Sequence, residues 1–169
     1  MTNTNWTNQD GLFIRFGDKE GVPAKYGEYK TFGPTRLVEA KIDFSDFAAF
    51  GTRAILSNEG EIPKGAHIEK IEVEVETAFV GATATLSLGL IGLDRVTLTG
   101  LSDTALAAAI TVATLTLGSI TTIQVGASFV GTLVGAGGNL PVPALLTALV
   151  GTANFSAGSA KVRIFYTQN

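Results

Sequence analysis

Glu72, Glu74 and Glu76 repeat at every second position of EKIEVEVETAF (residues 69–79), and His67, the only histidine, lies just upstream. In a strand, residues i, i+2 and i+4 share one face and sit about 7 Å apart. Carboxylates at that spacing could act as a glycosidase acid and base, hold a metal, or meet only water. A catalytic acid needs a pKa raised by burial or by a close partner. These glutamates instead alternate with Ile71, Val73 and Val75, the pattern of an antiparallel strand with one dry and one wet face. The expected role is a solvated, salt-bridging face, with cross-strand Lys or Arg as partners or with a basic partner protein.

His67 has no G-x-S-x-G elbow and no recognisable nucleophile beside it, so it reads as a surface or interface histidine. One histidine and no cysteine cannot build a zinc site and leave no disulfide or thiolate. Asp43 with Asp46, and Asn8 with Asp10, offer too few clustered oxygens for an EF-hand calcium loop. The cluster GTLVGAGGNL lacks the Lys-Ser/Thr of a P-loop and the third glycine of the dinucleotide fingerprint, where Leu140 stands. We therefore expect no catalytic residues, no metal, no cofactor and no enzyme activity. A hydrolase using the glutamates and His67 would require a concave pocket with a buried carboxylate.

The elements that carry these residues follow from the chain as a whole. Its 169 residues, 46% of them hydrophobic, suit one domain with a substantial core. A net charge of −3 gives no basic field for nucleic acid or an anionic membrane, and neither is expected as a partner. The N-terminal sequence MTNTNWTNQDGLF lacks the basic and apolar regions of a secretory signal, so synthesis in a cytoplasm is expected.

Charge is concentrated early: residues 1–76 hold 9 of the 12 Lys/Arg and 13 of the 15 Asp/Glu, and none lies between Thr104 and Ala160. That uncharged stretch is interrupted too often by Thr, Ser, Gly and Pro to cross a membrane as a helix. An uncharged surface of this extent favours association with other subunits or a partner protein, which predicts a homo-oligomer.

Period-two alternation dominates after residue 35. Val38, Ala40, Ile42 and Phe44 alternate with Glu39, Lys41 and Asp43, while Leu86, Leu88 and Leu90 alternate with Thr85, Ser87 and Gly89. Further strands are expected at 53–57, 66–79, 95–99, 111–117, 120–126, 127–134 and 160–167. One short helix is expected over Thr104–Ile110, capped by Ser102 or Asp103, with a second candidate over Pro143–Val150. The fold class is mainly β: an antiparallel β-sandwich or jelly roll with one short helix, spanning 36–169.

Residues 1–35 read as an irregular N-terminal arm. Trp6, Phe13, Phe16, Tyr26, Tyr29 and Phe32 sit there in Gly-, Asn- and Pro-punctuated sequence, either as anchors for a partner or as a loop folded back over the chain's own core.

The order of several segments resembles a known group. WTNQDGLFIRFG (Trp6 to Gly17), GEYKTFGP (Gly27 to Pro34), IPKGAHIEKIEV (Ile62 to Val73), GATATLSLGL (Gly81 to Leu90) and KVRIFY (Lys161 to Tyr166) are similar to small virion structural proteins of short-tailed, largely marine tailed phages. That resemblance implies a virion structural protein of the head or the tail. Taken with the aromatic arm and the uncharged half, the expectation is a capsid decoration (cement) protein made in the host cytoplasm and carried on the capsid surface, with the major capsid protein as partner, trimeric or else dimeric. On this reading the six arm aromatics bind the capsid. A carbohydrate- or receptor-binding module, or a tail- or fibre-associated one, is the alternative.

Overall fold

The structure is a computed structural model that describes residues 4–7, 13–16, 35–56, 61–96, 98, 100–135 and 139–168. The chain divides into two compact units, Met1–Thr31 and Phe32–Asn169. In the first, β1 (Thr4–Thr7) and β2 (Phe13–Phe16) form a two-stranded antiparallel sheet, with Trp6 opposite Ile14 and Thr7 opposite Phe13. The segment expected to be irregular therefore contains a short strand pair.

The second unit is built from two antiparallel sheets. The first joins β3 (Arg36–Asp43), β11 (Ala157–Gln168), β6 (Ala66–Val80) and β9 (Ile120–Gln124) in the order β3-β11-β6-β9. The second runs β4-β10-β7-β8, from β4 (Arg53–Ile55), β10 (Ala144–Gly151), β7 (Thr85–Gly92) and β8 (Ala107–Thr111). The two-residue β5 (Glu61–Ile62) continues the β4 edge along β10.

Alternation explains which side chains face inward. Val38, Ala40 and Ile42 of β3, Ile71, Val73 and Val75 of β6, and Val162 and Ile164 of β11 are buried, and they join Leu86, Leu88, Leu90, Leu146 and Val150 of the other sheet in one hydrophobic cluster. Burying a side chain of this size contributes about 1.5–3 kcal/mol. At one end of the strands Phe155 packs edge-on against Phe79, with ring centroids 4.8 Å apart, and lies 6.4 Å from Phe47.

Two expected helices are strands. The run Thr104–Ile110 turns at Asp103–Leu106 and then enters β8, and Pro143–Val150 supplies β10, the centre of the second sheet. Alanine and leucine favour helices weakly, but a seven-residue helix cannot recover its nucleation cost alone. Pairing with β7 and burial of Ala105, Leu106, Ala107 and Ile110 decide the outcome. The described helical turns are two three-residue 3₁₀ segments, Phe44–Asp46 and Val112–Thr114. The latter replaces the front of the strand expected at 111–117. Residues 127–134 form turns with isolated bridges at Val130 and Val134, and Arg95 and Val96 lie in a bend.

Candidate assembly surface

The outward face of β6 carries Glu72, Glu74 and Glu76, each on the opposite side of the strand from the buried Ile71, Val73 and Val75. The register places Arg163 between Glu39 and Glu72, and Lys161 between Lys41 and Glu74. Ion pairs then form across and along the strands. Arg163 Nε donates to Glu39 Oε2 at 2.9 Å, and Arg163 Nη2 lies 2.6 Å from Glu74 Oε2. Glu76 receives Lys161 Nζ at 3.1 Å and Lys41 Nζ at 3.4 Å. Lys70 Nζ donates to Glu72 Oε1 at 2.8 Å while sitting 4.3 Å from the centre of the Phe165 ring.

These pairs set the electrostatics. Hydrogen bonding to Lys161 first, then to Lys41, holds the Glu76 carboxyl below its ordinary value. The same contact raises Lys161, and bonds to Glu39 and Glu74 raise Arg163. A lowered carboxyl paired with two local cations, as at Glu76, is the reverse of a catalytic acid. The face is a self-compensated charge lattice, with individual exposed pairs worth little and the set worth more through shared partners. His67 sits half-buried at the start of β6, opposite Thr167 of β11. No group of three or more His, Asp or Glu that could hold a metal occurs among the described residues.

The second sheet has a different outer face. The chain between β7 and β8 returns across it, so that Leu90 N donates to Ser102 O at 3.0 Å and Leu106 N donates to Leu88 O at 3.1 Å. A Cβ on Gly89 would lie 2.3 Å from Ser102 O and 2.4 Å from the Asp103 backbone, so only glycine admits this crossing. Asp103 then pairs with Arg53 of β4: Nη2 donates to Oδ2 at 2.8 Å and Nε to Oδ1. That bidentate pair raises the Arg53 pKa and ties the crossing segment to the β4 edge. Beneath it Thr147 is buried, its hydroxyl without a hydrogen-bond partner among the described residues.

Of the six arm aromatics, Trp6 lies on β1, and Phe13 and Phe16 begin and end β2. Their side chains, and Tyr26, Tyr29 and Phe32 entirely, lie outside the described residues. Phe44, which period-two patterning put on the dry face with Ile42, instead opens the 3₁₀ turn after β3 and is exposed. The structure adds exposed apolar residues that patterning did not single out: Phe50 and Val80 near one end of the strands, and Leu117, Ile120 and Val125 around β9. Their signal in the sequence was weak, because each is a lone apolar residue beside a turn.

No family model matches this chain, and no curated protein sequence matches it. Solved structures do resemble it. A chain of the cyanophage Pam1 capsid asymmetric unit aligns over 90% of this chain and 98% of its own length, at 17% identity and a TM-score of 0.51. A chain of the Ralstonia phage GP4 capsid aligns over 83% of this chain and 88% of its own length, at 18% identity and a TM-score of 0.58. Both neighbours come from phage capsids. At this identity the likeness is one of fold, and it extends over nearly the whole of each chain.

Proposed function

We propose that this protein is a phage virion structural protein, specifically a capsid decoration (cement) protein that binds the outer surface of the major capsid protein and stabilises the head. The observation that carries this reading is the end-to-end fold likeness to whole chains of two phage capsids. Near-complete coverage in both directions means that those capsid chains are about the size of this one. The described surface agrees: Glu72, Glu74 and Glu76 are occupied by cations of their own sheet.

The strand order supports a jelly roll. With β4 and β5 taken as one edge strand, eight strands divide between the two sheets so that first, last, third and sixth lie together and second, seventh, fourth and fifth form the other layer. Such a double layer has a rigid core and free loops at both ends, which suits a part that is added to a shell.

In this reading residues 1–35 form the arm, and Trp6, Phe13, Phe16, Tyr26, Tyr29 and Phe32 contact the capsid. Three or four buried aromatics would yield on the order of 10–20 kcal/mol gross, much of it offset by ordering the arm. Modest affinity per copy is then multiplied across a lattice. The protein acts as a homo-oligomer, a trimer in preference to a dimer, made in the host cytoplasm and carried on the capsid surface.

Co-sedimentation of the purified protein with empty shells of the major capsid protein from the same genome tests the arm. Full-length protein is expected to saturate the shells, and a variant lacking residues 1–35 to lose at least tenfold in occupancy. Normal occupancy by the truncated protein would remove the arm from the account.

A further inference from the structure

We infer that the free edge of β9 pairs antiparallel with β9 of a second copy, joining two four-stranded sheets into one continuous sheet. The two edges of this sheet are treated differently. The β3 edge carries Arg36, Glu39, Lys41 and Asp43 and ends in a 3₁₀ turn fixed by a reciprocal capping box between Asp43 and Asp46. Charges of that kind discourage strand addition. The other edge, β9, reads ITTIQ, with no charge, proline or glycine, and among the described residues it pairs only with β6.

The sequence of β9 suits itself as the occupant. Antiparallel pairing centred on Thr122 sets Thr122 opposite its own copy, Ile120 opposite Gln124 and Thr121 opposite Ile123. No like charges meet, and facing threonines make a favourable cross-strand pair. Ile123 is fully buried and Thr121 half-buried on the inner face, so the inner rows of both copies would run on without a break. On the outer face Ile120 is 59% exposed, and Leu117 and Val125, at 71% and 61%, stand at opposite ends of the strand. Antiparallel pairing brings the Leu117 end of one copy to the Val125 end of the other and covers both.

Electrostatics permit the approach. Glu72, Glu74 and Glu76 of β6, next in from the edge, are paired with Lys70, Arg163, Lys161 and Lys41 of their own sheet, so the rows opposite β9 do not bring bare carboxylates together. The contact is isologous. It makes a dimer by itself, and in a threefold assembly it links one trimer to the next. It does not depend on the virion reading, because a β9-paired protein that ignores shells would leave it intact.

The absence of cysteine allows a direct test, since Thr122→Cys introduces a lone thiol. Facing Cα atoms in an antiparallel pair are about 4.5–5.5 Å apart, within disulfide reach. Mild oxidation of full-length Thr122→Cys is expected to give cross-linked dimer at least tenfold faster than Leu37→Cys on the β3 edge. A second variant, Thr122→Lys, is expected to weaken self-association at least tenfold in sedimentation equilibrium while the Tm stays within a few degrees of wild type. Equal cross-linking rates at the two edges, a monomeric wild type at high concentration, or unchanged association of Thr122→Lys would each overturn the inference.

Discussion

Arg163 Nη2 lies 2.6 Å from Glu74 Oε2, diagonally across the β11–β6 pair, and the same guanidinium donates to Glu39 on the far strand. One cation thus ties three strands together, and Lys161 and Lys41 converge on Glu76 in the next rows. A row of carboxylates that could have faced a substrate is held by its own sheet.

The pH dependence of stability follows from Glu76. Its folded pKa is below the ordinary value of 4.5, so its contribution is complete above that value and is lost as pH falls through the lower folded pKa. Lys161, raised above 10.5, contributes fully below that value and loses its contribution as pH rises through the higher folded pKa. Glu76→Gln should lower the Tm near neutral pH and flatten its fall on the acid side. Thermal melts of both proteins across the acid range check this, and parallel curves would contradict it.

Gly89→Ala should destabilise the second sheet. The added methyl meets Ser102 O and the Asp103 backbone well inside van der Waals contact, and backbone cannot swing aside as a side chain can. Overpacking of this kind costs about 1–3 kcal/mol. Urea unfolding would show a lower midpoint, and faster hydrogen exchange at Leu90 and Leu106 would locate the damage.

Thr147→Val should have the opposite sign. The Thr147 hydroxyl is buried without a hydrogen-bond partner among the described residues, and a buried unpaired polar group costs about 1–3 kcal/mol. Replacing it with a methyl of similar shape should raise stability by about 1 kcal/mol, read as a higher urea midpoint at unchanged slope. A lower midpoint would mean that the hydroxyl is satisfied in solution.

Legibility in the sequence tracked exposure. β3, β6, β7 and β11 were readable because each has one wet and one dry face, or a strict apolar alternation, so period two survives in the residue types. β10 was not: Leu145 and Thr147 on its outer face are as dry as Ala144 and Leu146 on its inner face, and a uniformly apolar run of helix formers carries no period. β8 was read as a helix from TALAAAI because the pairing that decides it lies in β7, about twenty residues away. The glutamate face was legible as a face. Its partners were not, because register between β6 and β11 is set by tertiary packing. The Arg53–Asp103 pair, 50 residues apart, left no local trace: Asp103 looked like a helix cap and instead fastens a loop.

The account stands most directly on where the protein sits. A cryo-EM reconstruction of shells assembled from the major capsid protein of the same genome, with and without this chain, measures that. The account predicts added density on the outer surface, one β domain per copy repeated across the lattice, with the arm continuing onto the shell. Bare shells at saturating protein, or density confined to a tail vertex, would contradict it.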